Sequence, residues 1–96
     1  MKNFTFIINK MQDENSKKLI LKACSIVYKK LKKDKSNYMI GLEYNVSTSL
    51  LNLLERGLKD PQLTTIFKLA QIFNIKPSKL IEEIENAVDG DINLID

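Results

Sequence analysis

Between residues 36 and 59 the sequence gathers side chains that could bind but hardly react: Asn37, Ser47, Thr48, Ser49, Asn52, Arg56 and Lys59, with Lys32, Lys33 and Lys35 just upstream. Hydroxyls and amides donate and accept hydrogen bonds without titrating, and Lys and Arg are donors that attract anions. That is the chemistry of recognition. The groups that make and break bonds are scarce. His is absent and Cys24 is the only cysteine, which excludes an internal disulfide and a Cys/His zinc site. Carboxylate, Lys or Tyr chemistry remains for an enzyme, and no pocket-like arrangement of these groups is visible. No catalytic residue, metal or cofactor is therefore assigned. Cys24 falls at an apolar helical position, where a buried, inert thiol is expected.

Charge points the same way. Residues 1–36 hold 10 Lys and 3 acidic residues, a balance of +7, and residues 77–96 hold one Lys against six acidic residues, a balance of −5. A basic front suits a polyanionic partner, although an unevenly charged, solvated surface has the same signature. No apolar run approaches the length of a membrane span, and the first 15 residues are too interrupted for a signal peptide. The expectation is a soluble, cytoplasmic protein with no membrane partner. With 96 residues and 44% apolar content the chain can fill one modest core, and at this size a dimer is plausible.

The elements that position the binding residues follow from periodicity and caps. Residues 1–12 alternate loosely, with Phe4, Phe6 and Ile8 on one side, and suit a short strand, an arm or a helical start. Asp13, Asn15 and Ser16 offer N-caps for a long helix, along which Ile20, Ala23, Cys24, Val27 and Leu31 recur at helical spacing. Ser36 caps a short second helix running to Tyr44, with Ile40 and Tyr44 inward. Asn45 punctuates it in the left-handed conformation. Ser47 caps a third helix that ends at Gly57, a natural residue to follow a helix. Pro61 precedes a fourth helix with Leu63, Ile66, Leu69, Ala70 and Phe73 inward, broken by Asn74. Pro77 and Ser78 open a fifth, carrying Leu80, Ile81 and Ile84. The expected fold is an all-α, compact five-helix bundle, divided into an N-terminal arm or flexible segment (1–15), a helical domain (16–88) and an acidic tail (89–96). Helices over 36–44 and 47–55, joined by a two-residue hinge, have helix-turn-helix geometry.

From Ser36 to Ile81 the chain resembles the Xre-type helix-turn-helix proteins, which include Cro and the phage repressors. Ser36, Asn37, Ile40 and Gly41 stand at the start of that family's first short helix, with Asn37 where Gln is usual and Gly41 where two helices cross closely. Asn45, Val46 and Ser47 match its turn. Leu51, Leu54, Glu55, Arg56 and Gly57 match the end of its recognition helix, and Pro61, Leu63, Thr65, Ile66, Lys68, Leu69, Ala70, Ile75, Pro77, Ser78 and Leu80 match the two helices beyond. Two features depart from the pattern. The spacing from Leu31 to Ser36 is about two residues short, which requires a tighter connection or other inward residues in helix one. And residues 46–54 hold no charge, no Gln and four leucines.

The resemblance implies a sequence-specific, repressor-like transcriptional regulator, binding double-stranded DNA as a homodimer. It carries base contact to Thr48, Ser49, Asn52 and Leu53, and backbone contact to Asn37, Ser47, Arg56 and Lys59, with Lys32, Lys33 and Lys35 as further phosphate candidates. Without Arg or Lys on the reading face, Asn52 pairing with adenine and Leu53 or Thr48 touching a thymine methyl are the contacts expected. It also implies a structural ion pair between Lys30 and Glu55. The competing use of the same fold is protein–protein interaction through a leucine-rich third helix, as in an antitoxin. The N-terminal segment, helix five and the tail are the expected dimer elements, the tail past Gly90 being mobile or paired with the arm across the dimer.

Overall fold

The computed structural model describes residues 2–95. Five helices follow in chain order: α1 Lys2–Lys32, α2 Asn37–Tyr44, α3 Thr48–Glu55, α4 Leu63–Ile72 and α5 Pro77–Ala87. No strand occurs among the described residues, and the fold is all-α with five helices, as expected.

The first helix departs from the expectation. It begins at Lys2 and passes through Asp13, Asn15 and Ser16 without a break, so of the readings offered for the first residues the helical start is the one the fold adopts, and the helix does not wait for those caps. The side chains expected on opposite sides of a strand, Phe4, Phe6 and Ile8, lie outside the described ones. Ser16 shows why a cap signal misleads here. Its side chain is buried, and its Oγ accepts a hydrogen bond from the backbone N–H of Asn93 at 2.8 Å. A serine hydroxyl can bond backbone groups near it in the chain, as at an N-cap. Here it holds the C-terminal segment, and Gly90 lies against Leu19 nearby. The tail thus folds back on α1 of its own chain.

The end of α1 has local physical causes. Lys29, Lys30 and Lys32 occupy the last turn, where cations offset the negative end of the helix dipole. Lys33 then takes φ 52° and closes the helix with a bond from its N–H to the carbonyl of Lys29. The short step to Ser36 is absorbed by a change of inward residue: Tyr28 is buried, while Leu31 is only half-buried.

The hinge between α2 and α3 follows its sequence signals closely. Ser36 accepts from the N–H of Met39 at 3.1 Å and Ser47 from that of Leu50 at 3.3 Å, the two N-caps. Asn45 is left-handed at φ 56°. Gly41 is where the helices cross: a Cβ there would stand 2.7 Å from the carbonyl oxygen of Val46 and 2.8 Å from Oγ1 of Thr48. Gly57 ends α3 at φ 70° and Asn74 ends α4 at φ 56°.

One core joins the helices, from Ala23, Cys24, Val27 and Tyr28 of α1 to Ile40, Leu51, Leu54, Ile66, Leu69, Ala70, Leu80 and Ile84. One residue expected inside is outside: Leu63 is 69% exposed. Leu63 opens α4, and the chain entering from Pro61 leaves that first turn uncovered. Phe73 is half-buried and meets Tyr28 edge-on, with ring centroids 6.0 Å apart. Burial pushes the Cys24 thiol up, with the Asp60 carboxylate adding to the effect, so the buried cysteine is a weak nucleophile.

Candidate nucleic-acid interface

α3 divides its four leucines by helical phase. Leu51 and Leu54 are fully buried, Leu50 is half-buried and Leu53 is 37% exposed. Ser47, Ser49 and Asn52 are exposed beside Leu53, while Thr48 is half-buried against Gly41 of α2. The outer face is therefore narrow and mostly polar: two hydroxyls, one amide and part of one leucine. No cation lies on it.

Behind this face sits a buried polar network that ties three helices together. Asn37, the first residue of α2, is only 7% exposed. Its Oδ1 accepts from the Tyr28 hydroxyl at 2.7 Å and from Lys32 Nζ at 3.1 Å, and its Nδ2 donates to Asn52 Oδ1 at 2.7 Å. Lys32 also pairs with the Glu55 carboxylate and lies 5.6 Å from the centre of the Tyr28 ring. Burial, and then the Glu55 carboxylate, push the Tyr28 phenol up to about 12, so at neutral pH it is a protonated donor. The backbone carbonyl of Glu55, an unpaired group at the end of α3, accepts from the Ser25 hydroxyl of α1.

This geometry corrects three assignments. Asn37 turns inward and spends its amide within the protein rather than presenting it outward. Lys32 likewise turns inward, its side chain 13% exposed and held by Glu55 and Asn37. The ion pair between the first and third helices uses Lys32, while Lys30 reaches Glu83 of α5 at 3.6 Å. Helical phase explains the exchange: Lys32 follows Tyr28 by one turn and so shares its inward side, and Lys30 falls elsewhere.

The remaining cations flank α3. Arg56 is exposed at its C-terminal end, with Lys59 half-buried just beyond, and Lys33 and Lys35 are exposed at the entry to α2. Arg56 shares an open hollow with Lys22 and Lys29 of α1. Those two lysines were missed from sequence. Their spacing of seven residues puts them on one side of α1, but only the packing of α1 on α3 brings that side to Arg56. Among the described residues no three His, Cys, Asp or Glu side chains cluster to hold a metal ion. No described helix is long and apolar enough to cross a membrane.

In comparison with known proteins, a family model described as helix-turn-helix matches residues 28–80, from the buried Tyr28 to the buried Leu80. No curated protein and no solved structure matches the chain.

Proposed function

The chain belongs to the helix-turn-helix family, and from that premise we propose that it is a sequence-specific, repressor-like regulator that occupies operator DNA as a homodimer in the cytoplasm. The observation that carries this reading is the outer face of α3. Ser49, Asn52 and Leu53 stand outward, while Leu51 and Leu54 anchor the helix in the core. Such a helix can enter a major groove with its polar edge toward the bases. Ser49 and Asn52 supply hydrogen bonds to base edges, and Leu53 supplies apolar contact to a thymine methyl.

Affinity comes chiefly from the flanks. Phosphate contacts position a protein on the duplex and provide most of the binding free energy. Arg56 and Lys59 would meet one backbone, with Lys22 and Lys29 extending that track. Lys33, Lys35 and the N-terminus of α2 would meet the other, with Ser47 donating its hydroxyl proton beside them. Asn37 acts here as a positioning residue behind the reading face. A dimer is supported by the small reach of a single α3, since one recognition helix covers only a few base pairs. Bound over a promoter, the dimer would act by occupancy.

Protein binding through the leucines of α3 would need those leucines outside. Two are buried, one is half-buried and Leu53 is only partly exposed. The test is a titration of the intergenic DNA beside the protein's own coding sequence against an unrelated duplex of equal length. Preferential retardation of the intergenic fragment, lost in Asn52→Ala together with Ser49→Ala, is the expected result. Equal affinity for both duplexes would contradict sequence-specific reading.

A further inference from the structure

The sequence points to helix five and the tail for dimerisation, and the fold commits both elsewhere. The tail is held on α1 of its own chain by the bond from the Asn93 N–H to Ser16. α5 packs on α1, reaches Lys30 through Glu83, and pairs its Lys79 with Glu82 and Glu83. Acidic residues are left outermost, with Glu82, Glu85, Asp89 and Asp91 exposed. In a two-fold dimer the same patch meets itself. A patch of one sign is then set against its own sign, which is costly. The same argument weighs against the outer side of α1, where the exposed Ile26 stands within one turn of Lys22, Lys29 and Lys30. It weighs also against α2, whose exposed Tyr38 and Met39 follow the exposed Lys33 and Lys35.

The connection after α3 and the outer face of α4 are different. Leu58 is 58% exposed, Leu63 69% and Phe67 53%. Leu63 and Phe67 stand one turn apart on α4, and the exposed Gln71 continues the row. From Pro61 to Phe73 the single charged residue is Lys68, in a chain of which 28% is charged. Leu58 ties this region to the reading helix. The Gly57 N–H bonds the Leu54 carbonyl at 3.1 Å, and the Leu58 N–H bonds that of Leu53 at 2.9 Å. These are the paired bonds of a Schellman closure, which fixes the direction of the chain as it leaves a helix.

Resting on the reading of the protein as a DNA-binding homodimer, we infer that the outer face of α4, with Leu58 in the connection before it, binds the same face of a second copy. The occupant is a second copy because a nearly uncharged, apolar face can meet itself without repulsion, and the charged outer faces of α1 and α5 cannot. Leu63 lies between Leu58 and Phe67 in the chain and is the most exposed of the three. It is therefore placed at the centre of the patch, where it meets its own copy beside the two-fold axis. An interface here continues from α3 through the closure at Gly57, so it sets the distance and angle between two reading helices. Three apolar side chains fill only part of the roughly 800 Å² per partner of a standard interface. The dimer is accordingly weak, grows with protein concentration, and is completed on DNA, where two half-sites hold the copies together.

Sedimentation of the full chain over a concentration series, without DNA, reads the dimer directly. The wild-type protein should pass from monomer to dimer as concentration rises. Leu63→Glu sets two carboxylates across the axis and should weaken the dimer about tenfold or more. Its melting temperature at low concentration should match that of the wild type, because Leu63 is exposed in the monomer. Leu63→Lys should behave in the same way. An equimolar mixture of Leu63→Glu and Leu63→Lys should regain the dimer, since opposite charges then meet. Leu42→Glu, on the exposed face of α2, should leave the dimer intact. An unchanged dimer in Leu63→Glu, or a mixture that fails to recover it, would overturn the inference. So would a wild-type protein that stays monomeric at every concentration. A protein that dimerises through this face yet retards no duplex would refute the DNA reading and leave the interface standing.

Discussion

Tyr28 is the residue whose importance the sequence concealed. It stands one turn after Cys24 and one turn before Lys32, so its inward phase is readable in retrospect. Its role is not, because its partners Asn37 and Phe73 come from α2 and from the end of α4. Tyr28→Phe should cost about 1 kcal/mol, since Lys32 still satisfies the Asn37 oxygen. It should also alter the alkaline limb of stability. The folded phenol titrates near 12, above its ordinary value of 10. The folded state therefore holds this proton more tightly, and the associated stability is complete below pH 10 and lost as pH rises toward 12. Urea titrations at pH 9 and pH 11 should show a larger loss in the wild-type protein than in Tyr28→Phe. Equal losses would place the phenol in water. Leu53 offers a second reading at this scale. At 37% exposure its truncation to Ala should cost about 1 kcal/mol or less, against about 2–5 kcal/mol for Leu54→Ala. Thermal melts of the two variants compare them directly, and a Leu53 loss as large as that of Leu54 would move Leu53 into the core.

Among the elements, α2 and α3 were legible almost to the residue because their boundaries are set locally. A serine cap, a left-handed Asn45 and a Gly57 each act within a few residues of themselves. The start of α1 was not legible, because Asp13, Asn15 and Ser16 are good caps that the fold does not use, and Ser16 is engaged from 77 residues away. Leu63 lies outside for a related reason: helical periodicity gives a face, but the neighbours decide how wide a face is covered. The α2–α3 crossing depends on Gly41. In Gly41→Ala the new methyl would meet a backbone oxygen at 2.7 Å, which a rotamer change cannot relieve. The helices must part, at a cost of about 1–3 kcal/mol. DNA affinity should fall by more than the folded fraction does, as measured on the same sample by circular dichroism and titration. Retained affinity per folded molecule would mean that the angle between α2 and α3 does not matter to binding.

For the molecule as a whole, the uneven charge along the sequence becomes a spatial arrangement. The basic α1 lies beside α3, and α5, which carries Glu82, Glu83 and Glu85, packs on α1 and meets Lys30 through Glu83. The cations left outside this pairing include Lys22, Lys29, Lys33, Lys35, Arg56 and Lys59, and they border the ends of α2 and α3. The family match and the outward polar edge of α3 make a DNA duplex the partner these cations should serve. Counterion release then sets a quantitative expectation. The logarithm of the association constant should fall linearly with the logarithm of salt concentration, with a slope that counts phosphate contacts. The most direct measurement is that slope for the wild-type protein and for the Arg56→Ala, Lys59→Ala double variant, on the intergenic fragment and on an unrelated duplex. The wild-type slope should be steep, the slope of the double variant shallower by about two units, and both duplexes equally weakened. A wild-type affinity that does not change between low and moderate salt would contradict DNA binding by this protein.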